Sequence, residues 1–193
     1  MKMTYSALAG ALGVAFCGAA FAQAGTVQRD MNQQQRIEQG LQSGQLNSRE
    51  GARLEREEAK VERDQSRAMR DGTLSPAEKA RLAREQNKVS RDIYREKHDA
   101  QTGNPNSASS QRTQADVQRN INQQQRIEQG VQSGSLTTRQ AGKLERGEAR
   151  IERREARAGA DGHVGAREQR RIQKAENRES RRIYRQKHDA QTK

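Results

Sequence analysis

Residues 43–50, SGQLNSRE, and residues 71–78, DGTLSPAE, follow one pattern: a polar residue, Gly, any residue, Leu, a capping residue, two further residues and Glu. Gly supplies the left-handed residue that follows a helix. Asn47 or Ser75 then caps the next helix, and Glu50 or Glu78 completes a capping box. Each stretch therefore predicts that one helix ends and another begins.

The chain contains this arrangement twice. Residues 27–102 recur without a gap, 90 positions later, as residues 117–192, and about 42 of the 76 aligned positions are identical. A self-match at a fixed period is typical of repeat architectures. Most other positions are Arg, Lys, Glu, Gln or Ala, which have high helix propensity.

The sequence thus predicts an all-α protein of two tandem three-helix repeats, each a helical hairpin or small bundle. A Gly-, Asn-, Pro- and Ser-rich segment, residues 103–116, is predicted to be a flexible linker between them. The predicted helices are 28–42, 48–69 and 76–98 in the first repeat and 118–132, 138–159 and 166–188 in the second.

The N-terminus has the pattern of a secretory signal peptide. A short positive start precedes an apolar run from Ala7 to Ala22, which is too short and too rich in small residues for a membrane-spanning helix. The run ends in Ala20-Phe21-Ala22, a small-x-small cleavage pattern, with Ala22-Gln23-Ala24 as a second option. We therefore predict a signal peptide at residues 1–22 and a periplasmic or secreted mature chain without a transmembrane segment.

The apolar content of each repeat is low. About a dozen strongly apolar residues per copy cannot form the core of a large globular domain. Long charged helices around so thin a core favour self-association, or binding to an envelope protein, because each unit alone buries little.

The second helix of each repeat is polarised across its width. Leu54, Val61 and Ala68 form one narrow stripe on a helical wheel, and glutamates flank that stripe. One interpretation is a solvated face crossed by ion pairs. The other is a surface that binds an anionic polymer, either nucleic acid or polysaccharide.

Charge favours the second repeat for any such binding. Residues 27–102 contain 16 basic and 14 acidic residues, whereas residues 117–192 contain 18 and 10. The candidate polyanion-binding residues are Arg146, Arg150, Arg153 and Arg157.

The block that ends each repeat is the other candidate site. Its members are Tyr94, Lys97, His98 and Asp99 in the first copy and Tyr184, Lys187, His188 and Asp189 in the second. Histidine can bind a metal ion, so His98 and His188 are candidate ligands for a periplasmic metal-binding protein. Neighbouring residues on a helix point about 100° apart, so His98 and Asp99 do not chelate one ion readily. The alternative is that Tyr94 packs on the bundle and His98 covers it.

The sequence predicts no enzymatic activity and no cofactor. The predicted mature chain has no Cys and no visible nucleophile–base set. Its carboxylates are expected on solvated helix faces, where their pKa values would stay ordinary.

Two duplicated blocks, RIxQGxxSGxL from Arg36 and SRxIYxxKHD from Ser90, resemble a group of uncharacterised exported bacterial tandem-repeat proteins. The resemblance covers both repeats. It implies an exported helical repeat protein and no established activity. The sequence therefore predicts an exported, non-enzymatic protein with a binding or scaffolding role, with polyanion binding or metal-ion binding as alternatives.

Overall fold

The computed structural model describes the backbone of residues 15–188 and the side chains of residues 25–188. It contains six α-helices, which confirms the all-α class: α1 (Ala15–Ser43), α2 (Ser48–Ala68), α3 (Pro76–Lys97), α4 (Ala108–Gln132), α5 (Thr138–Ala158) and α6 (Ala166–His188). A short 3₁₀ turn, Met69–Asp71, follows α2. No helix in this range is long and apolar enough to cross a membrane. The predicted signal peptide, residues 1–22, falls outside the described side chains, and Asp189 lies outside the described residues.

The predicted capping signals are confirmed. Asn47 accepts hydrogen bonds from the backbone of Glu50 while Glu50 binds back to Asn47, and Ser75 and Glu78 do the same at the start of α3. Gly44 and Gly72 have positive φ angles of 76° and 93°. The local sequence therefore sets where α2 and α3 begin.

The predicted linker is wrong over most of its length. Ser107 accepts a hydrogen bond from Ser110 N at 3.1 Å, and α4 begins directly after it, so residues 108–116 are helical. The remaining connection is also held in place, because Gly103 N donates to Gly44 O at 2.8 Å. Ser107 is an effective N-cap that the composition of the segment obscured.

The two repeats pack on each other about a pseudo-twofold axis. α2 lies against α5, α1 lies against α4, and α3 and α6 flank this four-helix centre. A Cβ added to Gly142 would meet Met69, whereas one added to Gly159 would meet Ala52, so α2 and α5 run antiparallel.

Hydrogen bonds across the interface show the same symmetry. Gln34 donates to Glu152 at 2.8 Å, and Gln124, its equivalent 90 positions later, donates to Glu62 at 2.5 Å. Each repeat therefore makes the same contact with the other.

The apolar core is shared between the repeats as well. Val117 and Ile121 of α4 join the core cluster of the first repeat, whose other buried members are Ile37, Leu41, Leu46, Leu54, Val61, Val89 and Ile93. The copies therefore form one six-helix body, not two small bundles, and this is how so few apolar residues suffice.

Candidate functional site

A basic groove of about 440 Å³ runs between α5 and α6. Its apolar floor includes Ala158 and Ile172, and Glu168 is the acidic residue that lines it. Glu168 already accepts a hydrogen bond from Gly165 N at 2.9 Å at the start of α6. The cations around the groove are Arg154, Arg157, Arg171, Lys174 and Arg178, all exposed.

Within the described residues, none of these five cations forms an ion pair. On the equivalent face of the first repeat, Arg67 and Arg81 lie 3.1 and 3.4 Å from Asp64. Lys88, the equivalent of Arg178, lies 2.8 Å from Glu57. The first repeat thus pairs the equivalents of Arg157, Arg171 and Arg178, which the second repeat leaves unpaired.

Four substitutions produce this difference. In the second copy Asp64 is replaced by Arg, Glu57 by Gly, Glu85 by Ala and Asp92 by Arg. Each of the four acidic residues makes at least one ion pair in the first repeat. The replaced positions are Arg154, Gly147, Ala175 and Arg182.

The four arginines predicted to bind polyanions lie in different environments. Arg146 is half-buried and donates to Ser66 of α2 at 3.1 Å, and Arg153 donates to a carbonyl of its own helix at 2.9 Å. Arg150 and Arg157 are exposed, and Arg157 lines the groove. The helical wheel of α5 identified part of this face and could not include the residues that α6 contributes.

The repeat-end block does not form a histidine metal site. His98 Nδ1 lies 2.7 Å from Tyr94 O, and the two rings stack with centroids 4.1 Å apart. His188 and Tyr184 have the same geometry. No contact between α3 and α6 exists in the described chain, so the two histidines are not brought together.

Tyr94 does not pack into the bundle as expected. Its side chain is 61% exposed and that of Tyr184 is 58% exposed. Lys97 is half-buried, and its Cγ would lie 3.3 Å from a Cβ atom added to Gly40. The Cγ of Lys187 would lie at the same distance from a Cβ atom added to Gly130. The identity of this block in both copies is thus partly explained by packing of the lysine stem against a helical glycine.

Asp99 belongs to a group of three carboxylates. One oxygen each of Glu50, Glu96 and Asp99 lie within 4.8 Å of one another, a spacing found for no other such group in the described residues. Arg53 lies 3.1 Å from Glu96 and neutralises part of this charge. The second copy has Gln140 and Gln186 at two of these positions.

The expectation that the carboxylates lie on solvated faces is wrong. Fully buried glutamates follow the apolar stripes of α2 and α5, and acidic residues of the neighbouring helices join them in the interior: Glu55, Glu58, Glu62, Glu145, Glu148, Glu152, Glu155, Asp30, Asp116, Glu176 and Glu179. The helical wheel placed the glutamates beside the stripe correctly. The second repeat covers them because α5 packs along α2.

Burial changes the ionisation of these groups. It raises the pKa of Glu55 and Glu176 to about 7, and together with the nearby Glu176 it raises the pKa of Asp116 to about 8. Burial first, and then the proximity of Glu152 and Glu145, hold the pKa of Glu62 well above its usual range. The interior therefore binds protons near neutral pH.

Amide and carboxylate groups exchange places between the two halves of this interior. In the first repeat Gln65 donates to Asp30 at 2.5 Å. At the equivalent pair Asn120 donates to Glu155 at 2.8 Å, so the amide is now on α4 and the carboxylate on α5. Each pair keeps one acceptor and one donor.

The sequence did carry a signal for the buried glutamates. Glu55, Glu58 and Glu62 are unchanged in the second copy, while Glu57 on the outer face of the same helix is lost. Acidic residues beside an apolar stripe that are identical in both copies, where acidic residues elsewhere differ between the copies, indicate an internal role.

Comparison with models of protein families, with curated proteins and with solved structures gave no match.

Proposed function

We propose that this protein is an exported, non-catalytic binding protein that attaches to an anionic polymer of the cell envelope through the groove between α5 and α6. The observation that carries the proposal is the loss, in the second repeat only, of the acidic residues that neutralise the equivalent face of the first. Five unpaired cations along one groove favour attraction of a polymer with repeated negative charges.

The chemistry of the groove favours recognition of charge. Arginine presents a planar fork of donors that matches phosphate, sulfate and carboxylate groups. No aromatic side chain lines the groove, so it lacks the rings on which unpaired bases stack. An anionic polysaccharide is therefore a better ligand than nucleic acid.

Export is the second part of the proposal, and it rests on the apolar run from Ala7 to Ala22. N-terminal sequencing of the protein from the periplasm or medium should find Gln23 as the first residue. An intact N-terminus in the cytoplasm would contradict this part alone.

The binding test compares two double variants of the full-length protein. Arg157→Ala with Arg171→Ala removes two groove cations, and Arg67→Ala with Arg81→Ala removes two cations at the equivalent positions of the first repeat. The full chain is needed because the repeats share one core. Net charge falls equally in both, so any difference reports the location of binding.

Heparin serves as the model polysaccharide, with affinity measured over a range of salt concentrations. The groove variant should lose about tenfold in affinity and show a shallower salt dependence, because two counterion-releasing contacts are gone. The first-repeat variant should change affinity by less than about threefold. Equal losses in both variants, or no binding by the native chain, would refute the proposal.

A further inference from the structure

A second groove, of about 580 Å³, lies between α4 and α6, further along α6 than the basic groove. Its lining includes Arg126 of α4 and Arg181, Tyr184 and Arg185 of α6. Arg126 is half-buried and donates to the hydroxyl of Ser180 at 2.6 Å and to its carbonyl at 3.0 Å. These two hydrogen bonds hold α4 against α6, so the packed bundle itself forms this tyrosine groove.

The ring of Tyr184 is presented to solvent in a fixed orientation. Its side chain is 58% exposed, and His188 stacks against one face of the ring with the centroids 4.1 Å apart. His188 Nδ1 also lies 2.7 Å from Tyr184 O. A tyrosine held in this way loses little conformational entropy when its ring contacts a ligand.

A row of basic residues on α6, the basic row, connects the two grooves. Its members recur every three or four residues and therefore lie on one face of the helix: Arg171, Lys174, Arg178, Arg181 and Arg185. The first three line the basic groove, and the last two line the tyrosine groove. The row is about 21 Å long, because each residue of a helix advances it by about 1.5 Å.

The basic row is free of ion pairs in the described chain. The ion pairs of α6 there join Glu176 to Arg119 and Glu179 to Arg182, and neither involves a member of the row. All five members are exposed. The row is therefore a continuous cationic surface that ends beside an exposed aromatic ring.

The first repeat has the same tyrosine without the free cations. Tyr94 is 61% exposed and carries the same histidine stack. Arg81, Lys88 and Arg95, at three of the five equivalent positions of α3, pair with acidic residues of α2 and α3. The two copies thus present equal rings beside unequal charge.

A tyrosine at the end of a cationic row adds recognition of a ring to recognition of charge. The face of an aromatic ring is negative and attracts the C–H groups that cover one side of a sugar ring. Arginines beside it can bind the carboxylate or sulfate groups of an acidic sugar. Tyr184 is the only Tyr, Phe or Trp of α6, whereas the bases of a single-stranded nucleic acid stack on successive aromatic side chains.

We propose that an acidic polysaccharide bound in the groove between α5 and α6 continues along the basic row and stacks one of its sugar rings on Tyr184. This inference rests on the proposed function and adds a ring to what the site recognises. The ligand must present several anionic groups and an uncovered ring face within about 21 Å. A polyanion without rings, such as polyphosphate, uses the cations alone.

The test measures the affinity of the full-length protein for heparin and for polyphosphate over a range of salt concentrations. Tyr184→Ala should lose about threefold to tenfold in affinity for heparin, the range of one aromatic stacking contact. Its affinity for polyphosphate should stay within about twofold, and the salt dependence should not change, because no charge is removed. Tyr184→Phe keeps the ring and should keep the native affinity for heparin.

Tyr94→Ala is the matched control, because it removes an equally exposed ring and the same histidine stack from the first repeat. It should leave the affinity for heparin within about twofold. Arg181→Ala with Arg185→Ala tests the path between the grooves. This double variant should bind both polymers more weakly and with a shallower salt dependence.

The outcomes separate this inference from the proposed function. Native binding of heparin with unchanged affinity in Tyr184→Ala, or equal losses in Tyr184→Ala and Tyr94→Ala, would overturn the inference alone. Equal losses for heparin and polyphosphate in Tyr184→Ala would do the same, because the ring would then have a structural role. Absence of heparin binding by the native chain would overturn both.

A single-stranded oligothymidylate measures the competing ligand. It should bind the native chain more weakly than heparin at the same salt concentration, because one ring can stack only one base. Tighter binding than heparin, with the same dependence on Tyr184, would overturn the assignment of a sugar ring.

Discussion

Replacing Asp30 with Asn should make the protein more stable at alkaline pH and flatten the dependence of stability on pH. Asp30 is fully buried, and burial raises its pKa from 3.8 to about 7 despite hydrogen bonds from Gln65 and Gln86. A carboxyl with a raised folded pKa binds its proton more tightly in the folded state. The contribution of Asp30 to stability is therefore greatest below the unfolded pKa, falls as pH rises from about 4 to about 7, and changes no further above that.

The size of the effect follows from these two pKa values. Each pKa unit corresponds to about 1.4 kcal/mol. Ionisation of Asp30 should cost about 2 kcal/mol of folding stability near pH 5 and about 4 kcal/mol near pH 8. The native chain should thus lose roughly 2 to 3 kcal/mol over this range through Asp30 alone. Removing this charge also eases ionisation of Glu58, Glu62 and Glu145, which lie close enough for repulsion.

The Asn side chain should fit this position. Asn120 occupies the equivalent place in the second repeat, where it donates to Glu155. In the variant the amide of Gln65 can reverse, because its Oε1 is buried without a partner and can accept from the new amide.

The measurement is urea denaturation followed by circular dichroism near pH 5 and near pH 8, with EDTA present in both. The control is Asp71→Asn, an exposed position where the amide oxygen can still accept from Thr73 N. The control should keep the native pH dependence. If Asp30→Asn loses as much stability as the native chain between the two pH values, the reasoning about buried carboxyls is wrong.

Two further predictions concern packing. Residues 27–102 alone should fold only as a dimer, because the face that α4 and α5 cover would be exposed. A monomer in sedimentation experiments, with a melting temperature by circular dichroism that does not depend on protein concentration, would contradict this. Gly130→Ala should destabilise the protein by about 1–3 kcal/mol, since its Cβ would lie 2.5 Å from Leu136 Cδ1. The control Gly25→Ala, with no atom within 4 Å of the new Cβ, should stabilise it by up to about 1 kcal/mol in thermal unfolding.

Local signals in the sequence predicted the secondary structure well. The capping residues Asn47 and Ser75 and the turn glycines act within a few residues, so the chain itself contains the information needed. Ser107 was missed because a serine in a Gly-, Asn- and Ser-rich segment does not stand out by composition, although it caps α4.

The candidate sites were predicted less well because they depend on packing between repeats. A helical wheel gives the angle between Glu58 and Leu54 around the helix axis. It does not show how much of the helix surface a neighbouring helix will bury. α5 covers enough of α2 to bury both residues. Tyr94 shows the opposite error, since an aromatic ring in a thin core was expected to be buried and is exposed.

The basic groove was only partly predicted, because its shape depends on how two helices pack together. The charge difference between the copies is visible in the sequence, and the cations that line the groove lie in the second repeat. Its shape requires α6 beside α5, which brings Arg171 and Arg178 next to Arg157.

The antiparallel packing of α2 on α5 has a consequence for how the two copies could diverge. In a homodimer of one repeat, a substitution at the interface is present twice, once in each subunit. In the tandem chain the same substitution can be present in only one of the two repeats. The close pair of Glu55 and Glu155 therefore occurs a single time, since Glu145 has Gln65 at the corresponding place.

Covalent linkage thus halves the electrostatic cost of each new interior carboxyl. It also removes the need for the halves to remain alike. One half has more amide donors inside and paired charges outside, while the other has more carboxyls inside and unpaired arginines outside. The tandem chain thus combines one pseudo-symmetric scaffold with two chemically different ends.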